Sequence, residues 1–346
     1  MTLDSRLPTT SAPESGGAPA EGLAASPEYS VVIPVFNSAP FVGDTIAACV
    51  RVLDRLRVSF ELILVDDGSR DGAWHVLESW AAVRREIVAI RLLRNYGQHT
   101  AVYCGLAHSR GRYVITLDDD LQTPAEEMVQ LISRRDSADA LFGSPVRKHH
   151  PLARRLGSAI IHRVNRGVFG QPPDLVVSSF RLLHRDVVDR MLRYRVREPY
   201  INGLAVMCAA RTANVSVEHR PRAAGRSGYG PIQLITLVTR ILFNYSSFPL
   251  RVVSTVGLLV AILGLVLSMY FAGRALLVGR SVPGWASLAV LLSFFNGVSL
   301  LLLGMLGEYI VRILDQFHQD RPYEVAQFVS GRDQLAEVSS GVRSET

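Results

Sequence analysis

The chain has 346 residues, enough for one large or two ordinary domains. A hydrophobic share of 48% and a mean hydropathy of +0.20 mean either a large core or a part that lies in lipid. The net charge of +6 is carried by Arg, with Lys148 the sole lysine, and suits phosphorylated substrates, anionic lipid or nucleic acid. Cys49, Cys104 and Cys208 are far apart and form no CxxC pair, which argues against a disulfide framework or zinc site.

Residues 1–28 are rich in Ser, Thr, Pro, Ala and Gly, with no basic start and no apolar run. That composition predicts a disordered tail, not a secretory signal. From Tyr29 short apolar runs alternate with helix-period segments. Strands are expected at Ser30–Val35, Phe60–Val65, Ile87–Leu93, Arg112–Leu117 and Ala138–Gly143. Helices are expected at Ala39–Val58, Asp71–Val83, His99–Ser109 and Pro124–Arg135, the last entered through Thr123 as N-cap. Such alternation predicts an α/β domain with a mainly parallel sheet covered on both faces.

Past Gly143 the alternation weakens. Arg147 to Arg166 carries six cations and no acid, which suits docking to anionic headgroups and equally a solvated basic helix. Asp174–Leu183 reads as loop and strand, Asp186–Leu192 as helix and Thr212–His219 as strand. Arg220–Gly230 is a Gly/Arg-rich loop. Residues 231–248 form a one-sided helix, with Ile235, Val238, Ile241, Leu242 and Tyr245 on its apolar face. Such a helix lies at a membrane surface or packs on a core; its place before an apolar segment favours the membrane.

Val252–Gly273 and Val282–Gly307 are uncharged, and each exceeds the ~20 residues that cross the hydrocarbon core. Two membrane helices over 249–311 are expected, with both chain ends on one side. The basic load outside the short linker places that side in the cytoplasm. Residues 312–346 read as a polar cytoplasmic tail.

The chemistry-bearing residues sit after strands. Strand four ends in Asp118-Asp119-Asp120, where open α/β sheets bind ligands. Asp118 and Asp120 at D-x-D spacing suit Mg²⁺ or Mn²⁺ held against a diphosphate. Asp66 and Asp67 end strand two; they suit hydrogen bonds from a base or ribose, while Asp67-Gly68 alone is also a plain turn. His75, His108, His162, His184 and His219 have no metal spacing.

The ordered set Val31-Val-Ile-Pro-Val-Phe-Asn37, Val65-Asp-Asp-Gly-Ser69, Asn95-Tyr-Gly-Gln-His99 and Leu117-Asp-Asp-Asp-Leu-Gln122 resembles family 2 glycosyltransferases of GT-A fold. With two apolar helices following, it is similar to the polyprenyl-phosphate branch. That branch includes dolichol-phosphate mannose synthase, bactoprenol glucosyltransferases and the undecaprenyl-phosphate aminoarabinose transferase. The resemblance runs from about Tyr29 to Arg321.

The resemblance implies a donor site at Pro34, Val35, Asp66, Asp67, Asn95, Gly97 and Asp118. It implies metal at Asp118 and Asp120, and an acceptor side with Asp174 and Arg181. Arg222-Ala-Ala-Gly-Arg-Ser-Gly-Tyr229 resembles the family's R-x-x-G-x-S-K-Y loop, so Arg181, Arg222, Arg226, Ser227 and Tyr229 would hold the acceptor phosphate. Three positions depart from the pattern. Ser38 stands where Glu is frequent, Gly228 replaces the loop lysine, and Ser179 stands where some members carry an acid.

The expected domains are a tail to residue 28, a catalytic domain over 29–230, a surface helix over 231–248 and the membrane hairpin. The expected reaction is inverting sugar transfer from a nucleotide diphosphate, UDP before GDP, to polyprenyl phosphate. The implied partners are that donor, the lipid phosphate and membrane lipid, with no nucleic acid; a homo-oligomer is left open. One alternative is a processive polysaccharide synthase, but no Q-x-x-R-W motif is present. Another is a non-catalytic membrane partner that retains the fold.

Overall fold

The computed structural model describes residues 26–120, 122–145, 152–194, 196, 198–219, 284–317 and 321–331, and part of 236–277; some side chains within 152–160 and 284–317 are not described. The sheet has eight strands in the order β7-β5-β6-β4-β1-β2-β3-β8. Those strands are β1 Tyr29–Val35, β2 Phe60–Asp66, β3 Ile87–Leu92, β4 Tyr113–Thr116, β5 Ala140–Pro145, β6 Arg181–His184, β7 Thr212–Val217 and β8 Val325–Ser330. The pairs β1–β2, β1–β4, β2–β3 and β5–β7 are parallel, whereas β6 and β8 pair antiparallel.

β1 and β2 are buried at every residue, because helices cover both faces. On one face lie α1 (Ala39–Leu56), α2 (Ala73–Val83) and α4 (Met128–Ser133). On the other lie α3 (Gln98–His108), α6 (Arg185–Leu192) and α7 (Ile201–Cys208). Pro34 is tolerated in a central strand because the β1–β4 pairing ends at Val32–Thr116. Cys49, Cys104 and Cys208 are buried free thiols.

Four expectations need adjustment. The helix expected over 124–135 is a 3₁₀ turn at Ala125–Glu127 followed by α4. Pro124 is extended, so Thr123 is no N-cap; its hydroxyl lies 3.4 Å from His219 Nδ1. The basic run folds as α5 (Leu152–Phe169), with Arg163 and Arg166 exposed and Asn165 and Phe169 buried. The short α7 was not foreseen. Its eight residues are apolar nearly all round, so no face marks a period. Gly203 lets it approach α5 closely, since a Cβ there would meet the Phe169 ring at 2.5 Å.

The described part of 231–248 packs on protein. Ile241 is buried with Phe169 and Tyr200, and the Tyr245 hydroxyl accepts from Tyr200 N at 2.8 Å. At those two positions the apolar face turns to the domain, not to lipid.

Further along, α8 (Trp285–Phe317) runs 33 residues, about 50 Å at helical rise. It exposes Leu288, Leu292, Phe294, Leu303, Leu306, Ile310 and Ile313. Counting the described residues alone, no helix is long and apolar enough to cross a membrane. Several α8 side chains fall outside that count, while the sequence over 282–307 carries no charge. The hairpin is therefore not established by the fold.

The chain after 311 is more than a tail. β8 returns to the sheet and pairs antiparallel with β3, and Tyr323 is buried against the α3 side. No local pattern marks β8, because most of its side chains are exposed and its partner lies over 230 residues away. A chain stopped after residue 320 should lose its fold or melt well below the full protein. Tyr323→Ala should cost about 3 kcal/mol by thermal unfolding, the usual penalty for deleting a buried ring. A truncated chain that melts with the full-length one would show that β8 contributes no stability.

Candidate active site

The carboxyl ends of β2 and β4 place their acids along one edge. Asp66 closes β2 with no exposed surface. Its Oδ1 accepts from Ser69 N at 3.0 Å. Its Oδ2 makes no hydrogen bond and lies 3.4 Å from Arg91 Nε. Arg91 is steadied from outside, since its Nη1 donates to Gln327 Oε1 of β8 at 3.3 Å. Asp67 accepts from Tyr96 N at 2.7 Å and Gly97 N at 2.8 Å. Desolvation nevertheless outweighs those two bonds and raises its pKa to about 6.

Between these ends lies a cleft of ≈ 670 Å³, lined by residues that include Phe36, Gly68, Arg70, Arg94, Asn95 and Gln327. Gly68 has φ +71°, and a Cβ there would lie 2.7 Å from the Arg94 carbonyl carbon, so glycine is required. Of the sequence-predicted donor residues, Asn95 lines this cleft, Asp66 and Asp67 are buried next to its lining residues Gly68 and Ser69, and Gly97 lies outside its lining. Pro34 and Val35 lie buried in β1 beneath it, beside Val65 and Asp66 in register.

The Asp118–Asp120 run divides by direction. Asp119 turns inward, accepting from Ser38 Oγ at 2.5 Å and Phe36 N at 3.3 Å, and desolvation raises its pKa to about 6. Asp118 accepts from Gln98 Nε2 at 2.6 Å and Ser179 Oγ at 2.5 Å. Asp120 Oδ1 accepts from Gln122 N at 3.1 Å. Two of the three positions that depart from the family pattern, Ser38 and Ser179, therefore supply hydroxyls to these acids. Sequence alone marked them as departures but gave no partner.

Among the described residues no group of three or more His, Cys, Asp or Glu is placed to hold a metal ion. Asp118 and Asp120 are partly exposed carboxylates two residues apart. They fit a Mg²⁺-type ion that takes one or two protein carboxylates and completes its shell with phosphate oxygens and water.

Arg181 lies deeper than expected. It is 1% exposed, its Nε donates to Thr116 Oγ1 and to Ser179 O, and its Nη1 has no partner. Burial lowers its pKa to about 10, while the nearby Asp118 charge opposes that shift. The guanidinium is a fixed positive charge behind Asp118, so its expected direct phosphate contact is not what this geometry presents. Asp174 is exposed on a turn before Leu175. Arg222, Arg226, Ser227 and Tyr229 lie outside the described residues.

Asp67 gives a prediction with a defined sign. Its pKa is raised from about 3.9 to about 6, so across that window the folded chain binds the extra proton. Its contribution favours folding below about pH 4 and declines as pH rises through 6. In melting curves from pH 4 to 7, Asp67→Asn should gain stability relative to wild type as pH rises. A difference that is flat with pH would mean that Asp67 ionises normally.

Residues 30–192 match the model of glycosyl transferase family 2. The chain is 34% identical over 307 residues to the undecaprenyl-phosphate 4-deoxy-4-formamido-L-arabinose transferase of Shewanella sediminis (strain HAW-EB3), covering 87% of this chain and 92% of that one. Among solved structures it is similar to glucosyl-3-phosphoglycerate synthase from Mycobacterium tuberculosis with Mn²⁺, UDP-glucose and phosphoglyceric acid, at TM-score 0.48 and 15% identity over 63% of this chain and 79% of that chain. Mannosyl-3-phosphoglycerate synthase from Rubrobacter xylanophilus matches at TM-score 0.44 and 15% identity, over 62% of this chain and 74% of that chain.

Proposed function

The chain belongs to glycosyl transferase family 2, and on that premise we propose that it transfers a sugar from a nucleotide diphosphate onto polyprenyl phosphate. It is a glycosyltransferase. The donor is read as UDP-linked before GDP-linked, and the product as a polyprenyl-phosphate monosaccharide formed with inversion. The observation that carries the lipid acceptor is the extent of the likeness to the undecaprenyl-phosphate enzyme. It covers 87% of the chain, well past the residues that match the family model.

The chain's own residues divide the work. The nucleoside is placed at the cleft lined by Asn95, with the buried Asp66 and Asp67 acting from behind through the backbone of Ser69, Tyr96 and Gly97. Asp118 and Asp120 hold the divalent ion, Mg²⁺ or Mn²⁺, with Asp118 oriented by Gln98 and Ser179. The ion, when bound, neutralises charge on the diphosphate leaving group. The acceptor phosphate is mostly a dianion at neutral pH, since its second ionisation lies near ~6. It needs positioning and charge neutralisation more than a protein base. That accords with a hydroxyl, Ser179, where other members carry an acid. Arg222 and Arg226 are assigned to the acceptor phosphate, with Ser227 and Tyr229 beside them, and Arg181 supplies positive charge from below.

The membrane reading rests on α8 and the apolar run before it. The chain leaves the sheet after Val217 and re-enters it at Val325, so any membrane crossings between them must be even in number. A two-helix hairpin, with the catalytic domain at the cytoplasmic face of the membrane, satisfies that parity. The exposed Arg163 and Arg166 of α5 suit anionic headgroups.

The reading is tested by incubating the purified protein with polyprenyl phosphate and radiolabelled nucleotide sugars and looking for labelled lipid. No labelled lipid from any UDP- or GDP-sugar would overturn it. Asp120→Ala should abolish transfer while leaving the melting temperature within a degree or two, because that side chain is part-exposed. Chelator should do the same to the wild type. Full activity in excess chelator would remove the metal from the mechanism.

Arg222→Ala should reduce single-turnover lipid transfer far more than Asp174→Ala, while donor binding stays near normal. The wild-type rate should fall at acid pH as the acceptor phosphate dianion takes up a proton. If Asp174→Ala proves the more damaging, a protein base is required.

A further inference from the structure

A second cavity shares no lining residue with the cleft beside Asn95. It measures ≈ 290 Å³ and is lined by His99, His162, Asn165, Gln171, Tyr200 and Asn202, together with aliphatic side chains. Three buried amide oxygens of this wall have no hydrogen-bond partner: Asn165 Oδ1, Gln171 Oε1 and Asn202 Oδ1. Asn165 and Gln171 are 5% and 4% exposed.

The chemistry at Gln171 fixes which atom is the oxygen. Gln171 Nε2 donates to the Leu175 carbonyl at 2.7 Å, and a carbonyl can only accept. Asn165 Nδ2 donates to Tyr200 Oη at 3.2 Å. Three orphaned acceptors around one small space are costly unless something donates to them, at about 1–3 kcal/mol each. Such groups call for an explanation in a native fold.

The described wall holds no Asp, Glu, Lys or Arg. Its His99 is held neutral, with a pKa lowered to about 4 by desolvation and then by Arg181. A dianionic phosphate brings only acceptors and would meet carbonyl oxygens. A divalent cation would find no carboxylate. What fits is a small neutral group rich in O–H or N–H. The volume is near the lower end of ligand pockets, about 300–1,000 Å³, so one sugar ring fits and a chain of sugars does not. His99 is the neighbour of Gln98, which donates to Asp118. The cavity wall therefore includes the chain neighbour of a residue that hydrogen-bonds Asp118, the carboxylate assigned to the ion.

We infer that this cavity is the sugar subsite: Asn165, Gln171 and Asn202 accept hydrogen bonds from hydroxyl or N–H groups of the transferred sugar and set which sugar is used. This inference rests on the transfer reading above. It goes beyond it by assigning the sugar's recognition to neutral acceptors, which select for donor groups and against a carboxylate on the ring.

The test uses the full chain in lipid vesicles with polyprenyl phosphate. Initial rates are measured with UDP-glucose, UDP-galactose, UDP-xylose and UDP-glucuronate, and binding of UDP alone is measured separately. The wild type should reject UDP-glucuronate. Asn202→Leu and Gln171→Met should each lower kcat/KM for the best neutral sugar by about 10–100-fold, because unmatched polar contacts carry strong discrimination. Affinity for UDP should stay within about twofold. Asn202 is partly exposed, so its substitution should leave the fold intact, and an unchanged melting temperature checks that.

Three outcomes overturn the inference. The first is variants that keep the wild-type sugar preference and rates. The second is UDP-glucuronate being used as well as UDP-glucose. The third is UDP affinity falling in step with kcat/KM, which marks a structural role with the cavity holding only water. A wild type that transfers no sugar from any donor sinks the transfer reading itself, a result distinct from all three.

Discussion

The structure is organised around one electrostatic constraint: acids crowded along the carboxyl edge of a mostly parallel sheet. Asp66, Asp67, Asp118, Asp119 and Asp120 follow two strands of the same sheet. Like charges so placed repel one another, and burial penalises each charged form. The fold answers with donors. Backbone N–H groups serve Asp67, Ser38 and Phe36 serve Asp119, and Gln98 and Ser179 serve Asp118. Desolvation still wins at Asp67 and Asp119, whose pKa values rise to about 6. An edge of this kind favours cationic partners, which is the electrostatic basis of the metal and diphosphate binding proposed for it.

Positive charge is placed behind the acids, not among them. Arg181 is buried beneath Asp118 with an unpaired Nη1, and Arg91 lies beside Asp66 without a hydrogen bond to Oδ2. A buried guanidinium costs solvation and is retained where nearby charge or specificity repays it. Here it offsets part of the acid field at Asp118. The phosphate clamp proposed for Arg222 and Arg226 is a different device from this fixed charge.

β8 ties the two halves of the chain together. It follows α8 directly and borders the nucleoside cleft through Gln327, which holds Arg91 beside Asp66. A chain that leaves for an apolar excursion and then completes the sheet couples the placement of α8 to the cleft proposed for the donor. A domain cut before the apolar segment would leave β3 with an unpaired edge, a known liability for aggregation.

The sequence by itself determined the strand–helix alternation from β1 to β5, the acids at strand ends and the Gly68 turn. These are local features: hydrophobic period, strand-end position and backbone sterics act within a few residues. The sequence also marked Ser38 and Ser179 as unusual. Only the tertiary structure gave them partners, because the acids they serve lie 81 and 61 positions away. The same holds for the depth of Arg181, which is set by β6 lying between β4 and β5. It holds as well for α7, for β8 and for the three amide oxygens facing one cavity from α5, the turn after it and α7. Each of these depends on long-range packing of segments whose local pattern is weak or apolar all round, and such contacts leave no periodic trace in the chain.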